Sequence, residues 1–226
     1  ETDVDYLEAF YSVPGAVYGK CVIPSVGGGT NNSEFELLMS KSMYLLNSSA
    51  PFQFISPAIA GRNAAAFLEE YGYVTTAMHC GGASNYSRNR VYPLMGFDHI
   101  YLGPGQYAYV NHYGNRSWLD ADNYRDLEEH WTEHEDKSPQ FLYLLTYQNH
   151  GGYEQNETSY DQVHCTGDFG SLTDDMDEYL TSVKLSSDAF KELTEYYSNV
   201  DRNVIICMVG DHAPSFISEL TPKEGL

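Results

Sequence analysis

The sequence predicts an α/β domain. Three observations carry this reading. Strand-like apolar runs alternate with segments of helical period along the whole chain. No repeat, low-complexity tract or Pro/Gly/Ser-rich linker interrupts residues 1–226, so a single domain is the simplest organisation. Thr, His, His and an Asp-His pair each follow a strand signal, and open α/β sheets bind ligands outside the carboxyl ends of their strands.

The elements follow in order. Ala16–Ile23 reads as the first strand and leads into Gly27-Gly28-Gly29. A helix is predicted from about Asn31, because Phe35, Leu38, Met39 and Leu46 recur at helical spacing. Asn63–Tyr71 reads as a second helix with Gly72 as its stop, and Tyr73–Met78 as a strand ending at His79. Asp120–Lys137 is so heavily charged that it reads as a surface helix. Gln140–Tyr147, a strand apolar enough to be internal, ends at Asn149-His150. Two helices are expected near Leu172–Val183 and Ser187–Asn199, and a last strand over Asn203–Val209 precedes Gly210-Asp211-His212.

Charge excludes several functions. Twelve Lys+Arg against thirty-two Asp+Glu give a net −20, which repels nucleic-acid phosphates and disfavours unaided docking on anionic lipid. With 42% hydrophobic and 14% aromatic residues the chain can still build a core, so it is no acidic disordered tail. The apolar runs are too short for a membrane span, and residues 1–20 have no signal-peptide pattern. The four cysteines form no CxxC pair, which excludes a zinc ribbon and a thioredoxin-type site. Cys207, within Val204–Val209, reads as a buried small hydrophobe. Cys80 and Cys165 lie in polar, loop-like surroundings, where either a bridge in an oxidising compartment or two free thiols would fit.

The chemistry-bearing residues come next. Gly27-Gly28-Gly29-Thr30-Asn31 resembles a turn that cradles an anion at a helix start. No Walker Lys-Ser/Thr follows it. Thr30 either caps the helix or serves as a nucleophile, and a nucleophilic role calls for a metal ion, since no basic group is near in sequence. Asp211-His212 supplies an oxygen and a nitrogen ligand side by side, a set suited to Mn²⁺ or Zn²⁺ and open to Mg²⁺.

Read together, these segments resemble the lipoteichoic acid synthase family of the alkaline phosphatase/sulfatase superfamily. Gly29-Thr30-Asn31-Asn32-Ser33-Glu34-Phe35 with Ser42–Leu46 is similar to its nucleophile region. Arg88-Asn89-Arg90-Val91-Tyr92 with Gly96-Phe97-Asp98 resembles its aromatic-x-Arg stretch followed by Gly-Tyr/Phe-Asp. Leu145–His150 resembles its strand ending in Asn-His, and Val209–His212 its metal-binding Gly-Asp-His. The matches keep their order from Val17 to about Phe216.

The resemblance implies a mixed, mainly parallel sheet flanked by helices, with residues 1–226 as one partial catalytic domain truncated at both ends. It makes Thr30 nucleophile and metal ligand, and Asp211 and His212 further ligands of a divalent ion, Mn²⁺ first and Mg²⁺ or Zn²⁺ as alternatives. Arg88 becomes a phosphate clamp, Tyr86 an aromatic wall where the family has Trp, and His79 and His150 groups that bind substrate or move a proton. The family's first metal ligand, a Glu, lies upstream of the matched part, so this stretch alone is expected to be a weak enzyme. The implied activity is phosphoglycerol transfer from phosphatidylglycerol to a glycan or polyglycerolphosphate acceptor, on the outer face of the membrane and within a membrane-anchored parent. The alternatives are a phosphoethanolamine transferase, a sulfatase-like hydrolase, or a non-catalytic polymer-binding module. The sulfatase C/S-x-P-x-R signature is not met, because Cys21-Val22-Ile23-Pro24-Ser25 has the wrong spacing and no Arg.

Overall fold

The computed structural model describes residues 1–46, 48–133, 137–153, 156–167 and 169–220. Its helices are α1 (Glu8–Tyr11), α2 (Thr30–Met39), α3 (Pro57–Ala60), α4 (Ala64–Glu69), α5 (Arg88–Met95), α6 (Asp120–Glu133), α7 (Thr173–Ser198) and α8 (Ile217–Leu220). Its strands are β1 (Val74–His79), β2 (His99–Leu102), β3 (His112–Tyr113), β4 (Arg116–Ser117) and β5 (Gln140–Leu145). The residues group into two compact units. One comprises Cys21–Tyr107, Glu129–Leu145 and Val209–Leu226, the other Glu1–Lys20, Ala108–Glu128 and Thr146–Met208.

The first unit holds a three-stranded, all-parallel sheet in the order β2-β1-β5. β1 is rich in β-branched residues and is buried from Thr75 to His79, as a central parallel strand requires. Asp98 pins the sheet's entry, because its carboxylate accepts from both the backbone N–H and the hydroxyl of Thr75, at 2.8 and 3.0 Å. Helices flank the sheet. Phe35, Leu38 and Met39 of α2, Ala65 of α4, and Val91, Tyr92 and Met95 of α5 pack with Ala77 in one core. Asn63 caps α4 by accepting from Ala66 N–H at 3.1 Å, as its side-chain chemistry predicts.

The second unit is organised by α7. A single helix replaces the two predicted ones, for no breaker lies between Val183 and Ser187, and Lys184 and Asp188 bridge that span at 2.7 Å. Its buried face is largely polar: Arg116 of β4 pairs with Glu178 at 2.9 Å, and Gln148 donates to the Ser182 carbonyl at 2.7 Å. Phe10 of α1 packs its ring on Phe190, and its backbone N–H donates to Ser187 at 2.8 Å.

Several expectations are corrected. Ala16–Ile23 and Asn203–Val209 form no strand, and Val17, Val22 and Ile205 are exposed. An apolar run becomes a strand only where a neighbouring ladder satisfies its backbone, and none among the described residues does so here. Cys207 is accordingly exposed rather than buried. β5 is an edge strand among the described residues, not an internal one. The charged helix α6 is not a surface helix. Asp120, Asp122, Asn123 and Asp126 are buried, and the carboxylates of Asp122 and Asp126 accept loop N–H groups from Asn111 at 2.6 Å and Ala108 at 2.8 Å. The predicted extension of that helix through residues 134–136 lies outside the described residues.

Candidate active site

The glycine run builds the site's floor. Gly29 is the N-cap of α2 at φ +80°, a left-handed conformation that favours glycine, so Thr30 is the first helical residue and not the cap. Its hydroxyl caps nothing. Gly27 permits a second close approach: its N–H donates to the Ala213 carbonyl at 2.9 Å, and a Cβ on it would meet Ser215 Cα at 3.0 Å. Val26 and Ala213 form a parallel bridge alongside. This contact brings the Asp211-His212 segment against the start of α2.

Three side-chain atoms converge there. His212 Nε2 lies 3.4 Å from Thr30 Oγ1 and 3.2 Å from Asp211 Oδ2. Ser33, one turn along α2, fixes the segment by donating to the Asp211 carbonyl at 2.5 Å. His212 Nδ1 lies 3.0 Å from the Ala213 carbonyl, an acceptor, and in the tautomer with its proton on Nδ1 the ring keeps a lone pair on Nε2. That lone pair faces a carboxylate oxygen. Two acceptors at 3.2 Å repel unless a cation or proton joins them, so the donor set fits a divalent cation held by Thr30, Asp211 and His212. Among the described residues no group of three or more His, Cys, Asp or Glu could hold a metal ion, and this set contains two such residues and a hydroxyl.

Arg88, the sequence's phosphate clamp, is only 2% exposed and bound to Glu34. Its Nε lies 3.1 Å from both carboxylate oxygens and its Nη2 2.5 Å from Oε2. The Tyr92 hydroxyl also donates to Glu34 Oε1. Burial pulls the Arg88 pKa down, but the hydrogen bond and charge of Glu34 outweigh it and raise it. The phenols of Tyr92 and Tyr143 go up, first by burial and then by the Glu34 charge. Tyr86 lies 5.1 Å from the guanidinium, measured to its ring centre. Tyr86 and Ser87, directly before Arg88, both adopt positive φ, at 52° and 61°. Two successive non-glycine residues in that region are costly, and such outliers cluster at functional sites.

Two candidate histidines remain. His79 is buried at the end of β1, with Nδ1 3.0 Å from the Leu145 carbonyl. His150 belongs to the second unit, exposed and stacked on Tyr147 with ring centres 4.6 Å apart. There, Arg116, Ser117, Trp118, Tyr147, Gln148 and His150 line a cavity of about 210 Å³. None of the four cysteines is disulfide-bonded, so the bridge weighed for Cys80 and Cys165 is not formed, and Cys80 is buried. Sequence reasoning missed Glu34 and Tyr92. Their signal was there: Glu34 is four residues after Thr30 and Tyr92 four after Arg88, so each pair shares a helix face.

A parallel sheet flanked by helices thus presents a threonine at a glycine-led helix start against an Asp-His pair. The chain belongs to the sulfatase family, which residues 22–225 match. It is 30% identical over 199 residues to a Rhizobium meliloti protein named for cyclic beta-1,2-glucan modification, a match covering 87% of this chain and 30% of that protein. Among solved structures it is similar to the Streptococcus pyogenes phosphoglycerol transferase GacH, in complex with sn-glycerol-1-phosphate, at a TM-score of 0.74 and 19% identity. That likeness covers 89% of this chain and 53% of the other. It is also similar to the Listeria monocytogenes lipoteichoic acid synthase LtaP, at a TM-score of 0.53 and 19% identity over 78% of this chain and 42% of that one. The chain therefore spans less than a third of its curated relative and about half of its structural neighbours.

Proposed function

We propose that this chain carries the nucleophile of a metal-dependent phosphoglycerol transferase acting at the outer face of a membrane. The observation that supports it most is that Thr30 Oγ1 and Asp211 Oδ2 each lie within 3.4 Å of His212 Nε2. Thr30, Asp211 and His212 would hold the ion, Mn²⁺ by the mixed oxygen and nitrogen donors, and its chemistry there is to lower the hydroxyl pKa and neutralise charge on the phosphoryl group. Thr30 Oγ forms a bond to the phosphorus of a phosphatidylglycerol-like diester while the bond to the lipid oxygen breaks. Diacylglycerol departs with a proton, and glycerol phosphate remains on Thr30. An acceptor hydroxyl then reverses the step and releases Thr30.

The backbone N–H groups at the start of α2, with Gly29 as cap, orient the phosphate oxygens. Arg88 donates to the same phosphate, and Tyr86 walls the headgroup. His79 and His150 serve as substrate-side groups, an assignment that rests on the family resemblance. The relative named for cyclic beta-1,2-glucan modification favours a glycan acceptor over polyglycerolphosphate. The test is diacylglycerol release from phosphatidylglycerol vesicles in the presence of Mn²⁺, with phosphatidylethanolamine vesicles as the comparison. Release from phosphatidylglycerol alone supports the reading. Preference for phosphatidylethanolamine would move the chain to the phosphoethanolamine transferases.

A further inference from the structure

Glu34 and Arg88 form an ion pair that stability alone does not explain. Both side chains are at most 2% exposed. Removing two charges from water costs about as much as their attraction returns, and apolar residues of similar volume often serve as well or better. The pair nonetheless sits one helical turn from Thr30, on the same face of α2. Its geometry is consuming: Glu34 takes Nε and Nη2 of the guanidinium, and Tyr92 holds the carboxylate from its other side. Nη1 is the nitrogen of the guanidinium that lies outside the Glu34 pair. The Tyr86 ring beside it is 45% exposed.

The consequence concerns ligand charge. A free guanidinium offers a two-point fork and a full positive charge, which suits a phosphate monoester that is a dianion above its second pKa of about 6. Arg88 offers one nitrogen, and Glu34 offsets its charge. A phosphodiester carries one negative charge and loses little from that arrangement, whereas a monoester dianion loses the second contact and most of the attraction.

We propose that Glu34 is a specificity-determining residue: by occupying two nitrogens of Arg88 and offsetting its charge, it biases the anion site toward singly charged phosphodiesters and against dianionic monoesters. The site then takes a diester and holds a free monoester weakly. This rests on the reading of Arg88 as a phosphate ligand.

The test is calorimetric titration at pH 8 of glycerol phosphate, a monoester, and glycerophosphoglycerol, a diester, into the wild-type chain, Glu34→Gln, and the double variant E34Q/R88Q. Unmasking a buried cation should tighten monoester binding by Glu34→Gln about tenfold, with the diester gaining about threefold or less. A Glu34 that is only structural would lower thermal stability and leave the ratio of the two affinities at its wild-type value, which would overturn the proposal. If Glu34→Gln folds only when inorganic phosphate is present, the anion is replacing the lost carboxylate and the proposal stands. If it stays unfolded in excess phosphate, the proposal fails. The double variant separates a deeper failure. Wild-type affinity for both esters in E34Q/R88Q, or no binding by the wild-type chain, would remove Arg88 from an anion site altogether and take the functional reading with it.

Discussion

Replacing Asp120 by Asn should make the protein more stable at neutral pH and slightly less stable in acid. Asp120 opens α6, fully buried, with its backbone N–H donating to Gln148 at 2.7 Å. Burial raises its pKa from 3.8 to about 6, against the opposing hydrogen bonds from Ser186, Thr146 and the Gln148 backbone. The folded state thus holds this proton more tightly than the unfolded chain. The resulting stabilisation is complete below about pH 4 and is lost as pH rises through about 6. About two pKa units correspond to about 3 kcal/mol. Asparagine mimics the protonated acid at every pH, but Oδ1 of Asp120 has no partner, so the new amide N–H₂ lacks an acceptor at a cost of about 1 kcal/mol. The net gain at pH 7.5 is about 2 kcal/mol, or about 4–8 °C in melting temperature for a chain of this length. Asp161, raised to about 6 first by burial and then by Glu178 and Asp177, is unchanged in the variant and cancels from the difference. Thermal unfolding of both proteins from pH 4 to 8 is the assay. A difference that does not change with pH would refute the burial of an ionising Asp120.

Glu178→Gln strands the Arg116 guanidinium, whose pair is about 5% exposed, and should cost about 3–5 kcal/mol in chemical denaturation. A loss below about 1 kcal/mol would mean that the backbone carbonyls of Gln148 and His150 suffice for Arg116. A thiol count under denaturing, non-reducing conditions should return four free thiols, as the unbridged cysteines require, and any smaller number would contradict the structure. Chelation should abolish diacylglycerol release and Mn²⁺ should restore it, with the restoration absent in Asp211→Ala. Restoration in that variant would remove Asp211 from the ligand set.

The approach of Thr30 to Asp211-His212 was legible through local features. Glycines before Thr30 and the adjacent Asp211-His212 are short-range signals, and the Gly27–Ala213 contact that joins them only had to follow. β1 and α2 were legible because a buried parallel strand and a helix face each have their own period. The Asn203–Val209 run misled because apolarity records what a segment could pair with, while strand formation depends on the partner. α6 misled for the reverse reason: its acids look solvated, but Asp122 and Asp126 are consumed by N–H groups of residues 108–111, a tertiary fact that composition does not carry. Arg88 shows the finest gap. Its type suited a phosphate, yet the carboxylate that takes most of its fork comes from a helix far away in sequence.

The account turns on Thr30 as the atom that leaves its bond to hydrogen for one to phosphorus. Incubating the chain with a phosphatidylglycerol-like diester and Mn²⁺, quenching in acid and mapping peptides by mass spectrometry tests this most directly. A glycerol phosphate adduct on Thr30, lost in Thr30→Ala with the melting temperature unchanged, is the predicted result. An adduct on another residue, or undiminished diacylglycerol release by Thr30→Ala, would contradict it.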